Sequence, residues 1–290
     1  MIGGMPLELT FLGTGTSAGI PMIGCDCPVC NSADPRDRRD RSSVVVTYPR
    51  PNPPTTEAMP DRYTALVDAS PDIRGQAIRH DLKWLDALLL THAHADHIMG
   101  IDDLRRFNAV MDRPLDLYAE PSVIRSLEQM FSYIFQPHRN VNQSFIAQLL
   151  AMPIESGKPL ELGGARWTPV RLMHGRLPII GFRVDWGGRS LAYCTDCSTI
   201  PPETLAQLEG LDVFMLDGLR ERHHPTHMTL DRACEFAEQI AAGQTYLTHF
   251  AHDHSHAELE ERLPDGIEPA YDGLVVSLTA IENGIKAVRD

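Results

Sequence analysis

Short apolar runs rich in β-branched residues alternate with amphipathic stretches along the chain, and their periods predict the elements. Residues 7–12 (LELTFL) predict a first strand running into the glycine-rich loop Gly13-Thr14-Gly15-Thr16. Residues 44–48 (VVVTY) predict a second strand, and residues 63–68 (YTALVD) a third that pairs back on it and ends in an acid. Between them, residues 49–60 hold five prolines in twelve positions, which predicts a surface excursion at a hairpin tip. Helical spacing follows over 73–80, then a buried strand over 87–90 (ALLL). Further helices are predicted over 101–110, 122–135, 202–208 and 230–241, and further strands over 167–172, 180–184, 190–193, 213–216 and 245–247. With no repeat, low-complexity tract or long linker, residues 1–290 read as a single α/β domain of sheets flanked by helices.

Hydrophobic content of 43% is ordinary for a chain with a substantial core. Charge changes the picture more. Lys+Arg 26 against Asp+Glu 39 gives a net charge of -13, which argues against nucleic-acid partners, because phosphate backbones are held by clustered cations. No apolar run approaches the roughly 20 residues needed to span a bilayer. The first ten residues lack the basic-then-apolar order of a secretory leader. The expectation is a cytoplasmic protein with no membrane partner; the oligomeric state stays open, a homodimer included.

The strongest chemical signal is THAHADH, residues 91–97, immediately after the buried strand. It supplies His92, His94, Asp96 and His97 on one loop. Imidazole and carboxylate are the usual ligands of zinc, manganese or iron. A solvated polar loop would not need this density after an apolar strand. One loop cannot close two metal shells, so further ligands are expected at other strand ends, where His174, Asp196 and His249 each follow an apolar segment.

These seven residues resemble those of the metallo-β-lactamase superfamily, in its dinuclear hydrolase branch. The resemblance implies an αββα sandwich with a dinuclear metal site at one edge of the two sheets. It also implies that His92, His94 and His174 bind one divalent metal and Asp96, His97 and His249 the other. Asp196 would bridge the two metals.

Cys25-x-Cys27-x-x-Cys30 offers three thiolates, and a structural zinc takes four ligands. His252, His254 and His256 stand close to His249 as candidates for the fourth. Cys194, Cys197 and Cys234 are isolated and read as small core residues. The cysteine cluster, the pair His249 and His252, and Tyr271-Asp272-Gly273 resemble the carbon–phosphorus lyase accessory phosphodiesterase (PhnP-type) group. That resemblance assigns His252 to the structural zinc and makes His227 a general acid. Asp96 is counted with the catalytic groups as well as the ligands. His223 and His224, beside His227, are expected to face solvent.

Two adjacent divalent metals acidify a bridging water, so that a hydroxide can attack a phosphodiester in line, and His227 would protonate the leaving alkoxide. The resulting expectation is a metal-dependent phosphodiesterase acting on a small, ribose-containing or cyclic, nucleotide-like substrate. Two alternatives share parts of the pattern: a transfer-RNA 3′-end endonuclease, which would need a basic arm, and a PqqB-like non-catalytic metal-binding protein of cofactor biosynthesis. The proline-rich 49–60 stretch departs from the group, and its role is open.

Overall fold

The computed structural model describes residues 6–280. The single-domain expectation therefore extends at both ends, 1–5 and 281–290, outside the described residues. Six strands build most of one sheet: β1 (Leu7–Gly13), β2 (Ser43–Pro49), β3 (Arg62–Val67), β4 (Ala87–Leu89), β5 (Leu115–Ala119) and β6 (Leu149–Pro153). Seven build a second: β7 (Leu160–Leu162), β8 (Ala165–His174), β9 (Leu177–Trp186), β10 (Arg189–Cys194), β11 (Val213–Asp217), β12 (Gln244–Thr248) and β13 (Ile267–Pro269). β14 (Val275–Leu278) returns to the first sheet beside β1, so the orders are β14-β1-β2-β3-β4-β5-β6 and β13-β12-β11-β10-β9-β8-β7.

Alternation along the strands sets the layers. In β2, Val44, Val46 and Tyr48 face the second sheet, where they meet Trp167, Phe182 and Tyr193, while Val45 faces the helices. Trp167 is fully buried and donates its Nε1–H to Tyr48 Oη at 3.0 Å, which satisfies the one polar atom of that ring. The helices α1 (Ile73–Arg79), α2 (Ala95–Ile98), α3 (Arg105–Met111), α4 (Pro121–Met130) and α5 (Ser132–Phe135) cover the first sheet. Those covering the second are α6 (Pro202–Leu205), α7 (Leu230–Ile240) and α8 (His256–Arg262). Helix, sheet, sheet, helix is the αββα order. No helix of the described residues is long and apolar enough to cross a membrane.

The hairpin reading of residues 49–60 agrees with the antiparallel β2–β3 pairing, which runs out to Pro49 opposite Arg62. The single helix expected over 122–135 is instead two, α4 and α5. Phe131 breaks the turn at φ −112°, ψ 43°, and its ring packs into the helix–sheet core. Over 101–110 the first turn, Ile101–Leu104, is a tighter 3₁₀ turn that leads into α3.

Strand direction places the chemistry. β3 runs parallel to β4, and β10, β11 and β12 are mutually parallel. β8 is antiparallel to β9, which is antiparallel to β10, so β8 points the same way as β10. The carboxyl ends of these strands meet along one edge of the sandwich.

Candidate metal centre

THAHADH follows β4 and folds into the single turn α2, with His94 at its N-cap and Asp96 and His97 in its first turn. His174 ends β8, Asp196 lies two residues past β10, and His249 directly follows β12. One ligand atom each from His92, His94 and His174 lies within 4.8 Å of the others, and the same holds for Asp96, Asp196 and His249. His97 joins His92 and Asp196 at the same spacing. Its Nε2 lies 3.3 Å from Asp96 Oδ2 and 3.2 Å from Asp196 Oδ1 without making a hydrogen bond, and so faces both groups. All seven residues are therefore brought together, with Asp196 in the middle. All are buried except His94, which is open to solvent.

The outer nitrogens fix the rings. His97 Nδ1 donates to Asp68 Oδ2 at 2.7 Å and His174 Nδ1 to the Asp196 carbonyl at 2.7 Å. Thr91 Oγ1 donates to Asp68, so it accepts from His92 Nδ1 at 2.9 Å. Ser42 Oγ donates to the Gly15 carbonyl, so it accepts from His249 Nδ1 at 2.9 Å. All four rings are thereby Nδ1–H tautomers, assigned from the bonding pattern. The Nε2 atoms of His92, His97 and His249 are buried with no partner. A buried lone pair without a donor is costly, and a metal is the partner it suits.

Charge is balanced unevenly here. Burial opposes protonation of His97, yet Asp196 and Asp68 hold its pKa well above the ordinary value, so a metal binding at Nε2 would displace a proton there and leave the Nδ1–H form. Burial, helped by the neighbouring His227 and His97, lowers His249 to about 4 and outweighs Asp196, while Asp196 itself is held low against burial by His249 and His97.

His227 sits on the loop between β11 and α7, its ring stacked on His249 at 4.8 Å and edge-on to His174 at 4.8 Å. Its Nδ1 donates to Asp217 Oδ2 at 2.8 Å. Burial would lower the His227 pKa, but the Asp217 carboxylate raises it to about 8. Asp217 is itself pushed up to about 7, because its burial outweighs the attraction of His227. His223 is exposed as expected, but His224 is not solvent-facing: it is half-buried, with its ring 5.0 Å from that of His227.

At the second cluster, the thiols of Cys25, Cys27 and Cys30 lie 3.3, 3.4 and 3.6 Å from His252 Nδ1. A tetrahedral zinc with ordinary Zn–S and Zn–N lengths separates its ligand atoms by roughly 3.5 Å, so this donor set fits the ion. The Cys30 N–H points at Cys27 Sγ and lowers that thiol to about 6. His254 contacts Glu221 and His256 contacts Glu260, so neither is the fourth donor. Cys194 and Cys197 are fully buried. Cys234 lies apart from these donor groups among the described residues.

Sequence reasoning assigned no role to Asp68, Asp217, Ser42 or Thr91. Asp68 and Asp217 carry a usable signal: each is the acid that closes an apolar strand, YTALVD and VFMLD. Ser42 and Thr91 carry none.

Comparison with known proteins agrees with this architecture. The β-lactamase superfamily domain profile matches residues 63–250. A crystal structure titled as a new diphosphatase from the PhnP family superimposes with a TM-score of 0.82 at 41% identity, covering 95% of this chain and 99% of that one. An octanoyltransferase of Porphyromonas gingivalis is 35% identical over 282 residues, 97% of this chain but 53% of that protein, so the chain spans about half of that relative's length. Coenzyme PQQ synthesis protein B of Methylobacterium nodulans is 27% identical over 240 residues, 73% of each. The chain belongs to the metallo-β-lactamase superfamily of metal-dependent hydrolases, in its PhnP-type group.

Proposed function

We propose that residues 1–290 form one dinuclear metal-dependent phosphodiesterase that acts on small, nucleotide-like phosphodiesters. The four Nδ1-anchored histidines carry this reading, because their inward Nε2 atoms want a metal. In it, His92, His94 and His174 hold one divalent ion; Asp96, His97 and His249 hold the other; and Asp196 bridges. Cys25, Cys27, Cys30 and His252 hold a structural zinc. Bound divalent metals would supply an acidified water and a polarised phosphoryl oxygen.

The protein's own groups do the rest. Asp68 and Thr91 orient His97 and His92, and Ser42 orients His249. His227, with Nδ1 tied to Asp217, presents Nε2 as the proton donor to a departing alkoxide. Structural similarity to the PhnP-family diphosphatase supports adding diphosphate anhydrides to the same screen. A transfer-RNA substrate is disfavoured by the net charge of -13. The acyl transfer named for the longer bacterial relative has no nucleophile in this site, since the cysteines flanking Asp196 are fully buried.

The likeness to coenzyme PQQ synthesis protein B keeps a metal-binding role in cofactor biosynthesis as the second reading, and a proton donor held by a buried carboxylate favours catalysis instead. Turnover decides. Metal-free protein reloaded with zinc, manganese or iron is expected to hydrolyse bis(p-nitrophenyl) phosphate and at least one cyclic or linear ribose phosphodiester. Full metal occupancy with no turnover of any phosphodiester or diphosphate would refute the proposal.

A further inference from the structure

A buried arginine with no part in the proposed reaction lies between the two clusters. The Arg39 side chain is 0% exposed, an uncommon place for a guanidinium. It donates to the Ala251 carbonyl at 2.8 Å and to the His254 carbonyl at 3.0 Å, and pairs with Asp37 at 3.2 Å. Its plane lies 5.2 Å from the centre of the Phe250 ring. Asp37 in turn accepts the backbone N–H of His256 at 2.6 Å.

Every one of these partners except Asp37 belongs to a single short segment, 250–256. That segment starts just after His249, which enters the dinuclear cluster, and carries His252, which enters the cysteine cluster. The two gripped carbonyls lie on either side of His252. At its other end, Arg39 exchanges backbone hydrogen bonds with Ile20, 2.9 and 2.8 Å, and Ile20 packs against Val29 and Cys30.

Stability alone does not account for this arrangement. A buried ion pair replaced by well-packed apolar residues is often neutral or better. An apolar residue could not grip two carbonyls three residues apart, whereas the rigid guanidinium fork can.

We propose that Arg39 is a positioning residue for both clusters. It fixes the 250–254 peptide, which follows His249 and carries His252, so that one segment can close the dinuclear cluster and the cysteine cluster together. The proposal rests on reading the clusters as metal sites, but not on the reaction assigned to them.

The test is titration of metal-free protein with cobalt(II), following the thiolate–cobalt and the d–d absorption separately, with folding checked by circular dichroism. Arg39→Lys keeps the charge beside Asp37 but has no fork to span both carbonyls. It is expected to lose roughly tenfold or more in affinity both at the cysteine cluster and at the position closed by His249. The position held by His92, His94 and His174 should keep its affinity. Unchanged affinities with a lowered melting temperature would overturn the proposal, as would equal loss at all three positions. If Arg39→Lys does not fold, Asp37→Asn, which loosens the same grip, is read by the same criteria. Wild-type protein that binds cobalt fully but turns over no phosphodiester would sink the proposed reaction and leave this test standing. Wild-type protein that binds none would sink both.

Discussion

The Asp217 carboxylate decides how much of His227 carries a proton at neutral pH. With its pKa at about 8, some nine-tenths of His227 is protonated at pH 7, roughly as a proton donor requires. In Asp217→Asn the largest raising charge is gone while burial remains against the weaker pull of Asp196 and Asp96, so the pKa should fall back to about the ordinary 6.5, leaving about a quarter protonated at pH 7. The lost proton affinity is ~2 kcal/mol, but at pH 7 it costs only about fourfold in donor population. The larger loss comes from the ring, since an amide can present its NH₂ to Nδ1 and so hold the ring neutral, and the Nε2–H of a neutral imidazole is a far weaker acid than that of imidazolium. Together these should lower turnover of an alkyl or ribosyl phosphodiester roughly a hundredfold. A p-nitrophenyl ester, whose leaving group departs without a proton, should change little.

The sign of the pH dependence follows from the same shift. A histidine pKa raised by folding contributes stability, and donor population, in full below about 6.5 and loses them as pH rises through about 8. The alkaline limb of kcat/KM for the alkyl ester should therefore move to lower pH in the variant. Bound cations nearby would shift both limbs downward by like-charge repulsion, with the variant remaining the lower. Because burial already pushes Asp217 up to about 7, a neutral isostere should fold. Initial rates on both esters across this range, with metal content by elemental analysis, make the measurement. Equal loss on both substrates at full metal occupancy, or an unmoved alkaline limb, would refute the assignment of His227 as the acid.

Asp196→Ala should abolish turnover and weaken the occupancy of both catalytic positions in elemental analysis, since Asp196 lies within reach of groups from both ligand sets; wild-type activity would rule out the bridge. Reconstituted protein should hold three metals per chain, two removed readily by a chelator and one retained; one metal or none would contradict the ligand sets. Cys27→Ser should lower the melting temperature before it touches turnover, and a variant that melts like wild type with all its zinc would count against the structural site. Trp167→Ala should cost about 3–5 kcal/mol in urea denaturation, because it empties the centre of the inter-sheet core. A loss below about 1 kcal/mol would mean that the core collapses around it.

The fold was legible where burial is two-sided and writes a continuous apolar run, or one-sided and periodic. The β2 run Val44-Val45-Val46 and the apolar β4 announce themselves, because a strand inside a sandwich must be apolar on both faces. β7 and β13 span three residues each, too few for any period to register. β14 is a four-residue edge strand in which Val276 and Leu278 face the core, but the apolar Val275 on its outer face blurs the alternation. β5, LDLYA, does alternate and could have been read. The break at Phe131 could not, since helical spacing continues through it and only packing turns its ring inward.

The seven inward residues were legible because each is chemically conspicuous and stands at a strand end. Their supports were not. Ser42 reaches the His249 ring from a distant part of the chain, and Thr91 is an unremarkable neighbour of His92, so neither has a local pattern; Asp217 offered only the faint signal of an acid that closes a strand. Backbone shape was hidden as well. Asp68, Asp196 and His249 all adopt the left-handed region, at φ 62°, 58° and 64°. Each residue stands at the end of one of the strands that meet at the edge, where the chain must turn sharply while its side chain still points inward. Glycine would make that turn freely and bring no side chain. A side chain there strains the backbone by about 1–3 kcal/mol, which persists only where the surroundings over-determine it. Here they do: the Asp68 carboxylate takes three hydrogen bonds, His249 is fixed by Ser42, and Asp196 lies between His97 and His249. Part of the backbone strain therefore sits at two groups proposed to hold the metals and at Asp68, which orients a third, while Asp81, Asp112, Gln143 and Ala241 carry the same φ sign away from the site.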